Sequence, residues 1–155
     1  MKRVCAALLV LIMALTVSLT GCSGSGEPDT TLEAILEEME TAFALDASSR
    51  MSEDDLLDFY GIQSADISEQ ASLSAMNGIF PDEIIMIKAK DETALARIQE
   101  KLENRLQEVL NQSKSYDAAS YAVAQKCKVD VRGLYIALFV SPNHEKMTEL
   151  YSAHF

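Results

Sequence analysis

Positive charge is scarce in this chain: 13 lysines and arginines stand against 24 aspartates and glutamates, a formal net charge of −11 over 155 residues. A surface this acidic repels a phosphate backbone, which excludes nucleic acid as a partner, and anionic lipid headgroups repel it in the same way. Cysteine is scarce as well, with only Cys5, Cys22 and Cys127, and the two histidines are His144 and His154. With so few ligands there is no His-Glu-x-x-His helix and no Cys-x-x-Cys pair. A Gly-rich phosphate loop, a Gly-x-Ser-x-Gly elbow and a Ser-x-x-Lys motif are missing too. No cofactor and no metal is therefore expected. The length allows one domain, and a two-lobed solute receptor needs far more chain.

Charge is also missing from one long stretch near the start. Met1-Lys2-Arg3 is a short positive region, and Val4 through Val17 is apolar except for Thr16. Leu19-Thr20-Gly21-Cys22 follows, and then a Gly/Ser-rich segment with no stop-transfer charges, so residues 1–21 read as a signal peptide. Leu19-Thr20-Gly21-Cys22 resembles the lipobox of bacterial lipoproteins. That resemblance implies a diacylglyceryl group on Cys22, cleavage between Gly21 and Cys22, and a mature protein held on the outer face of the membrane. Two acyl chains, at roughly 0.8 kcal/mol per buried methylene, anchor stably where one is marginal. Because the leader has two bases and no acid, its removal leaves a net charge of −13. The acyl chains, and not a basic patch, then make the attachment. Cys5 leaves with the leader and Cys22 is alkylated, so Cys127 has no partner and no disulfide is expected.

Residues 22–29 read as the acylated cysteine and a flexible linker, and residues 30–155 as a single domain. Thr30-Thr31-Leu32-Glu33 has the spacing of a capping box, and Leu32, Ile35, Leu36, Met39 and Phe43 form one helical stripe. Ser52-Glu53-Asp54-Asp55 starts a second, short helix that carries Leu56, Leu57 and Phe59 and stops at Gly61. Residues 66–76 read as a weak strand, and Ile84 to Lys90 as a better one, reached through Asn77-Gly78 and Pro81. Asp91 caps a long helix with Leu95, Ile98, Leu102, Leu106, Val109 and Leu110 on its buried side. A short helix is expected from Tyr116 to Gln125. Cys127, Val129 and Val131 alternate with Lys128, Asp130 and Arg132 as in a half-buried strand, with Cys127 on its inward face. Gly133 turns the chain into Leu134–Val140, apolar on both faces and so expected inside the sheet. Ser141-Pro142 starts a last helix through Met147, Leu150 and Tyr151. The expected fold is α+β in the order α-α-β-β-α-α-β-β-α, an antiparallel four-stranded sheet of two β-hairpins with packed helices.

Several of these stretches, in this order, resemble a family of small, mostly Gram-positive lipoproteins known only as domain of unknown function 4358. They are Tyr60-Gly61-Ile62, Glu83-Ile84 to Lys88-Ala89-Lys90-Asp91, the helix with Leu102 and Arg105, Tyr116, and the hairpin through Gly133-Leu134-Tyr135 to Ser141. The resemblance spans roughly residues 60–141. It departs after Tyr116, where the family tends to have proline and an acid and this chain has Asp117-Ala118-Ala119. It implies location and fold, and it assigns no catalytic residue.

Eleven acids and one base, Arg50, lie between Glu27 and Asp58, whereas the remainder from Phe59 carries thirteen acids and ten bases. Glu53, Asp54, Asp55 and Asp58 form a candidate docking face for a basic partner or a weak cation site. They lack the alternating oxygens and turn glycine of a dedicated calcium loop. The simpler account is the solvated N-terminal turn of a helix. Tyr60, Tyr116 and Tyr135 either line a small pocket or pack in the core with the hydroxyl at the surface, and core packing is the simpler account. Cys127 and His144 are expected on an inward strand face and an exposed helix start, which separates them as nucleophile and base. The expected function is a membrane-anchored binding or accessory module, engaging an envelope protein or a small ligand. The alternative is a cell-envelope hydrolase whose carboxylates come together only in the fold.

Overall fold

The computed structural model describes residues 26–45, 48–75 and 82–155. The expected signal peptide, with the expected cleavage and acylation at Gly21 and Cys22, and the connection through Asn77-Gly78 and Pro81 lie outside the described residues.

Helix α1 (Leu32–Phe43) buries Leu32, Ile35, Leu36 and Met39, the stripe expected from their spacing. Its N-cap is Thr31, one residue later than the Thr30 box, so the residue at the third helical position is Ala34 and no reciprocal side chain exists. The free amide of Leu32 is instead accepted by Glu69 Oε1 from the sheet, at 2.8 Å. Strand β1 (Ser48–Arg50) precedes α2 (Glu53–Tyr60), and a 3-10 turn (Ser64–Asp66) leads into β2 (Ile67–Ala75). Strand β3 (Asp82–Ala89), helix α3 (Glu92–Tyr116), helix α4 (Ala118–Ala124), strands β4 (Val129–Arg132) and β5 (Tyr135–Val140), and helix α5 (His144–Ala153) complete the chain.

The sheet has five strands in the order β1-β2-β3-β5-β4, and every neighbouring pair is antiparallel. This corrects the expected four strands. The addition is the three-residue edge strand Ser-Ser-Arg, which has no apolar alternation by which to read it. The two hairpins join through β3 and β5, with Ile85 opposite Leu138 and Ile87 opposite Ile136.

Both faces are covered. On one, α1 and α5 lay Leu36, Met39, Met147 and Tyr151 over Leu73, Ile84, Met86, Ala137 and Phe139. On the other, α2, α3 and α4 lay Leu56, Ile98, Leu102, Val109 and Ala124 over Ile85, Ile87, Ile136 and Leu138. That is why β5 is buried at all six positions: each face meets a helical layer, so no position faces water.

Three local expectations are corrected. Cys127 is buried, but it lies in the connection before β4, and its thiol donates to the carbonyl of Val123 at 3.5 Å. Val131 is exposed because β4 is an edge strand that the helical layer only partly covers. Helix α5 begins two residues after Pro142, with Asn143 at its cap position, and Ser141 Oγ accepts from the Asn143 amide at 3.1 Å.

Candidate functional site

Where α2 passes the β1 end of the sheet, a cleft of about 320 Å³ opens, lined by residues of β1, α2, β2, β3 and α3. Helix α2 owes its position to a complete capping box. The Ser52 hydroxyl accepts from the Asp55 amide at 3.2 Å, and Asp55 Oδ2 accepts from the Ser52 amide at 2.7 Å. The helix stops at Gly61, whose φ of +69° is the left-handed conformation that glycine adopts without a Cβ penalty. Between these ends only Leu56 is fully buried; Leu57 is 37% exposed and Phe59 is 68% exposed. Of the three apolar residues that the short helix carries, only Leu56 therefore enters the core. In eight residues only the Leu56 side is directed at the sheet, and Phe59 is left on the cleft rim.

The floor is polar. Glu83, at the start of β3, is 2% exposed and is clamped by the Arg105 guanidinium of α3, which donates through Nε at 3.1 Å and through a second, terminal nitrogen. Arg105 also lies 5.6 Å from the ring centre of Tyr60. The bond to Glu83 holds Arg105 firmly in its charged form. Burial, reinforced by the Glu83 charge, pushes the Tyr60 hydroxyl far above its ordinary range, so it stays neutral. A smaller concavity of about 150 Å³ shares Phe59, Tyr60 and Arg105 and adds Lys101 and Asn104. Phe59, Tyr60 and Arg105 thus stand between two depressions. Burying the Glu83 carboxylate is tolerable only because the guanidinium meets it with two donors.

Of the acidic candidates only Asp55 lines the cleft, and it is engaged: the Ser52 hydroxyl and then the Ser52 amide hold its carboxyl below the usual carboxylate range. Glu53, Asp54 and Asp58 are exposed on α2 and make no salt bridge among the described residues. No three metal-ligating side chains converge among the described residues. The three tyrosines do not share a pocket. Tyr60 is at the cleft, Tyr116 is 78% exposed at the end of α3, and Tyr135 is buried on the opposite face of the sheet. Cys127 and His144 form no hydrogen bond, and burial pushes the Cys127 thiol up, away from a reactive thiolate.

Sequence reasoning missed the Glu83–Arg105 pair and the exposed Phe59. One signal existed for the first: an acid opening an otherwise apolar strand needs a cation, and Arg105 interrupts the α3 stripe. Much of the remaining acidity is spent on crosslinks. Arg50 bridges Glu33 at 2.6 Å and Glu40 at 2.5 Å, and Lys88 bridges Glu27 at 2.9 Å. His154 lies 2.7 Å from Asp29 and 3.2 Å from Glu38.

A five-stranded antiparallel sheet between two helical layers, with one cleft at its β1 end, defines the class as an α+β domain. The family model of DUF4358, a domain of unknown function, matches residues 42–141, and the chain belongs to that family. The match takes in every residue of the cleft. No curated protein and no solved structure matches the chain.

Proposed function

We propose that the protein is an extracytoplasmic lipoprotein, anchored through an acylated Cys22, whose domain is a non-catalytic binding or accessory module at the cell envelope. The anchor reading rests on the leader and on Leu19-Thr20-Gly21-Cys22. The binding reading rests on Phe59. A large aromatic left 68% exposed, beside a concavity with polar groups at its floor, is what a recognition surface offers. Both carboxylates in the cleft support binding over hydrolysis. Asp55 is committed to its helix cap and Glu83 to Arg105, so each would have to abandon a bonded partner to move a proton.

The test is affinity recovery after crosslinking on native membranes for wild type and Phe59→Ala, with intact mass of wild type and of the unacylated Cys22→Ala. Wild type is expected to recover a specific envelope protein or ligand. Phe59→Ala should lose at least about tenfold of it, the equivalent of about 1.4 kcal/mol at a buried aromatic contact. Cys22→Ala should lack the diacylglyceryl mass and keep its leader, because the cut before residue 22 follows acylation. Equal recovery by wild type and Phe59→Ala would remove the cleft from the reading, and native wild type with residue 22 unmodified and the leader attached would remove the anchor.

A further inference from the structure

Glu27 and Asp29 sit at the end of what reads in sequence as a free linker, yet both are fastened to the domain. Glu27 accepts from Lys88 Nζ at 2.9 Å and from the Tyr135 hydroxyl at 2.5 Å. The Asp29 amide donates to the His154 carbonyl at 2.8 Å, and its carboxylate lies 2.7 Å from His154 Nδ1. Gly26 lies against the β4–β5 turn: a Cβ built on it would stand 3.6 Å from the Cα of Gly133. The turn, the end of β3 at Lys88 and the C-terminal end of α5 thus grip residues 26–29 together.

We infer that these contacts form a clasp that fixes which end of the domain faces the lipid surface, with the cleft turned away from it. The inference rests on the anchor reading of Cys22. Four Cα–Cα steps separate Cys22 from Gly26, so the gripped end lies within about 14 Å of the acylated residue even with the chain fully extended. With residues 23–29 all free, the root-mean-square reach would be about 15 Å from a domain of about 14 Å radius of gyration, and any face could turn to the membrane. The clasp removes that freedom.

Strand β3 supplies the direction. Lys88, at one end, holds Glu27, and Glu83, at the other, is the cleft floor. Five residues at about 3.4 Å each put the cleft roughly 17 Å farther along the strand. The free acids Glu53, Asp54 and Asp58 are on α2 with the cleft, away from anionic headgroups that would repel them. The partner this geometry suits approaches from the side of the domain away from the bilayer.

The full-length protein, reconstituted in vesicles that carry a headgroup-attached quencher, is the material for the test. One probe goes on Ala153→Cys, exposed at the end of α5 beside the clasp, and another on Asn104→Cys, exposed beside Arg105. Unmodified wild type, whose Cys127 is buried, measures background labelling. The Ala153→Cys probe should be quenched severalfold more than the Asn104→Cys probe. That difference should collapse when Glu27→Ala and Asp29→Ala are combined in a protein of unchanged circular dichroism. Vesicle flotation and intact mass are read first. Protein that neither floats nor carries the lipid mass refutes the anchor, and the orientation with it. Protein that floats but quenches both probes alike, or keeps the difference without Glu27 and Asp29, overturns the clasp and leaves the anchor standing.

Discussion

Arg105 is the residue on which the cleft depends. It leaves α3, covers Tyr60 and ends on the buried Glu83, so its removal strands a carboxylate with no cation and little water. Arg105→Ala should cost about 3 kcal/mol in a denaturant titration. Replacing both partners by leucine should recover most of that loss, because no uncompensated charge then remains. His154 is a second residue with a testable signature. Burial pulls its pKa down, but the carboxylates of Asp29 and Glu38 outweigh that, and the net shift is upward. A raised histidine contributes stability that is fully present below its unfolded pKa and is lost as pH rises through the folded value. Thermal melts at about pH 5.5 and about pH 8.5 should therefore show a stability difference that His154→Gln reduces. The change should be no more than about 1 kcal/mol, since both carboxylates are largely exposed. At this scale Glu83 and Arg105 were each visible in the sequence, as an acid opening an apolar strand and a base within an amphipathic helix. Their pairing was not visible, because they stand 22 positions apart with a helix start between them.

The helices follow their sequence signals closely, and the departures have physical causes. The Ser52–Asp55 box and the Gly61 stop delimit α2 where the sequence places them. Helix α1 ends on Ala44, the one non-glycine residue with positive φ among the described residues, at +52°. An L-residue there is strained by roughly 1–2 kcal/mol, while glycine adds about 0.4–1 kcal/mol of unfolded-state entropy. Ala44→Gly should therefore raise stability by about 0.5 kcal/mol in equilibrium unfolding. Helix α3 runs through Tyr116 and hands over to α4 at Asp117, whose carboxylate accepts from the Ala119 and Ser120 amides. The departure from the family pattern after Tyr116 is thus filled by a cap that does the work of a helix-starting proline. Strand β1 was illegible for the opposite reason. Ser-Ser-Arg carries no pattern of its own, and it is a strand because β2 offers it an open edge.

For the whole molecule, two layers of helices cover the sheet and a clasped N-terminal segment closes one end of it. The central strand β5 was legible as buried on both faces, since nearly every side chain in it is apolar, and β3 was legible as a strand from the apolar run Ile84–Ile87. The clasp was not legible. A Gly/Ser-rich stretch ending in Glu-Pro-Asp has the composition of a linker, and only the fold brings Lys88, Tyr135 and His154 to one place, 61, 108 and 125 residues distant in sequence from the groups they hold. Composition and periodicity are local properties, so by itself the sequence determined the acidity of the chain, its helix caps and stripes and the two apolar strands. The tertiary structure alone decided which charges lose their water together, which aromatic is left without cover, and where the N-terminal segment is held. Those outcomes depend on distances between residues far apart in the chain, which exist only once the sheet has closed.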